Sequence, residues 1–110
     1  MTISVVDSSG TLVAMARLDG ANVVGPEVSR GKAFGSAAFR VPSGELAERA
    51  EKIPAFYTSL TTLLGGRFVA AQGALPVFVD GQCVGAIGAS GSKPDVDEEI
   101  ARAGLAGLGA

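Results

Sequence analysis

The chain has 110 residues, of which 47% are hydrophobic and 18% charged, and its formal net charge is -2. Mean hydropathy is +0.37 and the isoelectric point lies near 5.0. That length holds a single domain over residues 1–110, and that apolar fraction excludes a disordered chain. The acidic balance excludes a footprint for phosphate backbones, and apolar residues are too evenly interrupted for a membrane span, so neither nucleic acid nor membrane is an expected partner.

With no His, the chain supplies no Ser-His or Cys-His pair and no imidazole ligand, and no metal site is expected. Cys83 stands alone and cannot close an internal disulfide. The opening MTISVVDSSG has neither the basic nor the apolar segment of a secretory signal, so the cytoplasm is the expected compartment.

In chain order, Ile3-Ser4-Val5-Val6-Asp7 is a β-branched run that stops at Ser8-Ser9-Gly10, and Thr11 to Leu18 resumes it, which predicts a hairpin. After the turn at Asp19-Gly20-Ala21-Asn22, Gly25-Pro26-Glu27 predicts a helix start. Proline pre-sets φ there and the carboxylate suits the helix dipole. That helix should reach about Arg40. Val28, Gly31, Gly35 and Ala38 recur along it at helical spacing and form a nearly bare stripe that admits another backbone, with a neighbouring subunit as the expected occupant.

Pro42-Ser43 ends this helix and caps a short amphipathic one through Glu45 to Lys52, and Pro54 opens a third over Ala55 to Leu64. Leu75 to Val79 and Gln82 to Ala89 flank Asp80-Gly81, the preferred two-residue hairpin turn. Gly85 and Gly88 would weaken the second strand unless something packs against its backbone. Ser90-Gly91-Ser92-Lys93-Pro94 leads into a last helix from Asp95 to about Leu108. Its acids, Asp95, Asp97, Glu98 and Glu99, are read as complements of the dipole. The order β-β-α-α-α-β-β-α lacks strand-helix-strand repetition, so the class is α+β with an antiparallel sheet.

Several stretches resemble the GlcG/HbpS-like family: Val5-Val6-Asp7, Leu12-Val13-Ala14, Arg17, Asp19-Gly20-Ala21, Gly31-Lys32-Ala33, Pro42-Ser43, Asp80-Gly81, Val84-Gly85-Ala86-Ile87-Gly88, Ser90-Gly91 and Ala103-Gly104-Leu105. The likeness runs from about Ile3 to Ala106. It implies a profilin-like antiparallel sheet flanked by helices, assembly into a homo-oligomer (a dimer or an octamer), and haem or a related tetrapyrrole as ligand. The family's usual leading helix has no counterpart before Ile3, and with it goes the place where a ligating His is expected. Met1, Met15, Lys32 and Tyr57 are weighed as iron-facing groups and read as structural or surface side chains.

The sequence offers two candidate ligand sites. In the first, Arg17 and Lys32 hold a carboxylate while Asp19 orients it. In the second, Ser90 and Gly91 present backbone N–H groups just before a helix. Three functions follow: a small-molecule binding module, with a tetrapyrrole foremost; an accessory oligomer serving an operon's enzyme; or a small-molecule enzyme using Arg17, Asp19 and Lys32. Cys83 falls mid-strand with no base to activate it and is read as a small hydrophobe.

Overall fold

The structure, a computed structural model, describes residues 1–109. Two strands, β1 (Thr2–Asp7) and β2 (Leu12–Arg17), lead into three helices, α1 (Gly25–Phe39), α2 (Ser43–Lys52) and α3 (Pro54–Leu63). A second hairpin, β3 (Ala74–Val79) and β4 (Gln82–Ser90), precedes α4 (Pro94–Gly107). The predicted order and α+β class are observed. The four strands form one antiparallel sheet in the order β2-β1-β4-β3.

Side chains of a strand alternate between faces, and each face of this sheet has its own helix. On one face Val6 and Ala86 pack against Ala33 and Ala37 of α1. On the other, Leu75, Val77 and Ile87 pack against Ala101 of α4, with Ile3 and Val5 beside them. From Gly85 to Ser90, β4 is buried on both faces because it lies between the two helices. A third cluster of Leu46, Tyr57 and Phe68 joins α1, α2 and α3, with Phe39 tilted against Phe68 at 5.9 Å between ring centroids.

The glycines of β4 serve close packing, as expected. A Cβ at Gly88 would collide with the Ser29 carbonyl of α1, and one at Gly85 with the Val6 carbonyl of β1. The β3–β4 turn has φ of 51° at Asp80 and 80° at Gly81, the left-handed pair that Asp-Gly favours. At the β1–β2 turn, Oδ1 of Asp7 accepts from the Ser9 hydroxyl at 2.7 Å and from the N–H groups of Ser9 and Thr11.

The structure corrects three local expectations. The Gly31 and Gly35 stripe admits the chain's own segment before β3: Val69 packs on Gly31 and donates its N–H to the Gly31 carbonyl at 3.2 Å, while Phe68 fills the space beside Gly35. Ser43 is not a cap. Pro42 holds that position, and the Ser43 hydroxyl accepts the Ala74 N–H at 2.8 Å, tying α2 to β3. Asp97 is more than a dipole complement, for it is buried and ion-paired.

The Asp97 pair joins the two helix layers. Lys32 of α1 places its ammonium 3.1 Å from Asp97 Oδ2 and 3.1 Å from the Ala89 carbonyl, with both side chains at least 95% buried (5% and 3% exposed). The other Asp97 oxygen accepts the Ser92 N–H at 2.9 Å. The lysine passes the end of the β3–β4 ladder at Gly73, where φ is +141° and a Cβ would stand 2.8 Å from both the ammonium and the Ala89 carbonyl. Only glycine meets both demands there.

Lys32→Met leaves a buried carboxylate uncompensated and is expected to cost about 3–5 kcal/mol in urea unfolding, while the Lys32→Met, Asp97→Leu double variant recovers most of that loss. Single and double variants of equal stability would show that the two charges do not act as a pair. Asp7 gives a second check: the Ser9 hydroxyl, then the Thr11 and Ser9 N–H groups, hold its carboxyl below the ordinary aspartate value of 3.8. A depressed folded-state value means that its contribution to stability is present above 3.8 and is lost as pH falls through the lower folded value. An NMR titration should therefore find Asp7 titrating below 3.8, and Asp7→Asn should remove this part of the acid dependence.

Candidate functional site

β2 is an edge strand, and every one of its residues after Leu12 is exposed. The register pairs Thr2 with Arg17 and Ser4 with Met15. Directly opposed residues share a face, so Met15 and Arg17 lie on the α1 face beside Thr2 and Ser4, both buried. Ser4 is fixed there by a 2.7 Å bond between its hydroxyl and that of Ser29. Beyond β2, Leu18, Val23 and Val24 stay exposed on the way into α1, Val23 at 83%. Met15 on the α1 face of β2, with Leu18, Val23 and Val24 in the segment that leads from β2 into α1, makes this side of the sheet an open apolar shelf, and Val13 is exposed at the strand's bulge.

The shelf meets a polar row at one end of the sheet. Thr2 is paired with Arg17 on one side and with Ser90 on the other, so Arg17, Thr2 and Ser90 span β2, β1 and β4 in a line. Thr2 is fully buried, and its hydroxyl has no hydrogen-bond partner. A Cβ on Gly25 would sit 2.7 Å from that hydroxyl, which places it directly under the start of α1. That start has no side-chain cap: Val24 occupies the capping position, and Glu27 is the acid of the first turn. Exposed Arg17 and the positive end of α1 thus both adjoin Thr2, whose buried hydroxyl stays unsatisfied beneath them, and the exposed pair is suited to an anionic group.

The residues expected to hold a ligand are distributed unevenly about this row. Arg17 and Ser90 belong to it. Asp19 is exposed just beyond β2 and, among the described residues, neither Arg17 nor Asp19 is held in a side-chain hydrogen bond or ion pair. Lys32 is elsewhere: its ammonium is committed to Asp97 and Ala89, so Arg17, Asp19 and Lys32 do not form one cluster. Gly91 has φ of +143°, and a Cβ there would stand 2.9 Å from the Met1 backbone. The N–H that follows it, at Ser92, is taken by Asp97, so the turn into α4 is satisfied from within the chain.

Sequence reasoning missed Thr2. The signal available was the absence of Ser, Thr, Asp or Asn at the capping position before Pro26, which leaves the first N–H groups of α1 without a side-chain acceptor. Tyr57 lies in the aromatic cluster, away from any iron-facing role, and Cys83 is half-buried with its thiol 3.4 Å from the Gly85 carbonyl. Among the described residues no group of three His, Cys, Asp or Glu side chains could hold a metal ion, and no helix is long and apolar enough to cross a membrane.

Comparison with known proteins gives this architecture a family. An uncharacterised 15.0 kDa protein of Citrobacter freundii, from the dhaT-dhaS intergenic region, is 30% identical over 96% of this chain and 73% of its own length. The crystal structure of PduOC in complex with haem superposes with a TM-score of 0.85 at 30% identity, covering 96% of this chain and 75% of that one. An HbpS double mutant from Streptomyces reticuli gives a TM-score of 0.86 at 34% identity, covering 99% of this chain and 71% of that one. Residues 1–106 match the family described as haem degrading protein HbpS-like, and the chain belongs to that family.

Proposed function

We propose that this chain is a small-ligand binding module that accepts haem or a related tetrapyrrole on the β2 shelf, as part of a homo-oligomer. The observation that carries the reading is exposed Arg17, at the open end of the row it forms with buried Thr2 and Ser90 beside the uncapped start of α1, with Met15, Val23 and Val24 also exposed. A flat macrocycle with acidic side arms needs that combination: an apolar surface for its face and donors for its carboxylates. The haem complex of PduOC supports the ligand class within the family.

The residues present fit the group in part. Arg17 and the Glu27 N–H in the first turn of α1 would hold a carboxylate, since the Gly25 and Val28 N–H groups are bonded to the Asn22 and Val24 carbonyls and Pro26 has none, and the Met15 thioether on the same face as Arg17 is a soft donor. No imidazole is available anywhere in the chain. When bound, the group would supply a redox-active iron centre, and the protein's part is to bind and shield it.

A second reading, an accessory oligomer, is favoured by the outer edge of β2. Its backbone is unpaired on that side, and no Lys or Pro falls within Leu12–Arg17 to blunt it. Both readings place an assembly contact next to the shelf.

Haemin titration followed by visible spectroscopy, with light-scattering mass on the same sample, separates them. We expect a saturable Soret shift on an oligomer, about tenfold weaker binding for Arg17→Ala, and a displaced Soret maximum for Met15→Ala. A flat titration on an intact oligomer would overturn the tetrapyrrole reading and leave the accessory one, and a monomeric mass at micromolar concentration would overturn the assembly.

A further inference from the structure

The opposite end of β2 carries a second concavity, built from different residues. A cleft of about 340 Å³ opens between the β1–β2 turn, the flank of α1 and the loop after α3. Four of its lining residues are glycines, Gly10, Gly31, Gly65 and Gly66, so main chain forms much of its wall. Phe34 supplies an aromatic surface, with its ring against Gly10. Two arginines, Arg30 and Arg67, line the same space.

Neither guanidinium is spent on a salt bridge among the described residues. Arg67 is held in place: its Nε donates to the Leu64 carbonyl at 2.8 Å, and its guanidinium carbon lies 5.3 Å from the Phe34 ring centroid. These contacts fix the plane of the fork and leave its terminal N–H groups free, so little side-chain entropy remains to be lost on binding. Glu27 is the one carboxylate lining the cleft, so two positive charges stand against one negative.

We infer that this cleft binds a small aromatic carboxylate, its ring on Phe34 and its carboxylate shared between Arg30 and Arg67. The volume sits at the lower end of ligand cavities, which is the scale of a single ring with a short acidic arm and far below that of a macrocycle. Two arginines lining one space favour a carboxylate over a neutral amide of the same shape. At Gly65 and Gly66 open space stands where a Cβ would be, so a flat ligand can approach the main chain closely there, whereas Val69 and Phe34 already fill that space at Gly31 and Gly10. The inference does not depend on the tetrapyrrole reading: of the residues placed in the first site, the cleft shares only Glu27, and neither Arg17 nor any of the shelf side chains lines it.

The test titrates the full chain with benzoate, benzamide and acetate, reading backbone amides by NMR and affinity by calorimetry. Benzoate should saturate and shift the amides of Gly10, Gly31, Gly65 and Gly66, while benzamide, lacking the charge, and acetate, lacking the ring, should bind at least about tenfold more weakly. Arg30→Gln and Arg67→Gln should each lose about tenfold in benzoate affinity, and Glu27→Gln should gain a few-fold by removing the opposing charge. Both arginines are exposed, so these variants should keep the wild-type fold, which their spectra check directly. Equal binding of benzamide, shifts confined to the Arg17 shelf, unchanged affinity in both arginine variants, or no saturation by about 10 mM benzoate would each overturn the inference.

Discussion

A single ion pair links the two faces of the sheet. Lys32 leaves α1 on one side, passes the open end of the β3–β4 ladder and meets Asp97 of α4 on the other. Buried pairs of this kind add little net stability because desolvation offsets most of the attraction, but breaking one leaves a charge with no partner. The pair therefore acts on geometry: it fixes how far α1 and α4 can slide relative to the strands between them. It also decides what is unavailable for function. Lys32 has no free ammonium to offer a ligand, and Asp97 consumes the Ser92 N–H that would otherwise face solvent ahead of α4.

Small side chains impose the second constraint. Ala33, Ala37, Ala86 and Gly88 are small at the contact between α1 and the sheet, so the helix lies close to β1 and β4. A helix seated that low over the middle of the sheet meets β2 only about Leu12, which packs against Val6, Ala33 and Ala37, and the strand is exposed from Val13 to Arg17. The exposed shelf and the row at Thr2 thus follow from the same packing that builds the core. The larger apolar groups, Leu46, Tyr57 and Phe68, collect in a separate cluster under α2 and α3.

What could be read from the sequence was local. Prolines and glycines punctuate the chain at nearly every boundary, so Gly25-Pro26, Pro42, Pro54, Asp80-Gly81 and Pro94 each marked an element end within a residue or two. The pairings that make the site are not local. Arg17 and Ser90 become neighbours of Thr2 only because β1 lies inside the sheet with β4 on its other side, and two hairpins in sequence do not state which of their strands is central. Lys32 and Asp97 are separated by 65 positions, and no periodicity connects them. The Gly31 and Gly35 stripe was legible as a place of close approach, but the partner proved to be the chain's own Val69 and Phe68, reached through two intervening helices.

On the proposed reading, the open position of the shelf would couple ligand and assembly. A flat ligand on one exposed sheet face leaves its other side in water, whereas tight sites enclose most of a ligand's surface. The unpaired edge of β2 lies along the same shelf, so a subunit arriving there could supply the missing cover. Binding and self-association would then reinforce each other by linkage, each raising the apparent affinity of the other by the same factor. Without an imidazole to anchor the iron, that enclosure would carry more of the affinity than in a His-ligated haem protein, and the exposure of Val13, Met15 and Val23 is what leaves room for it.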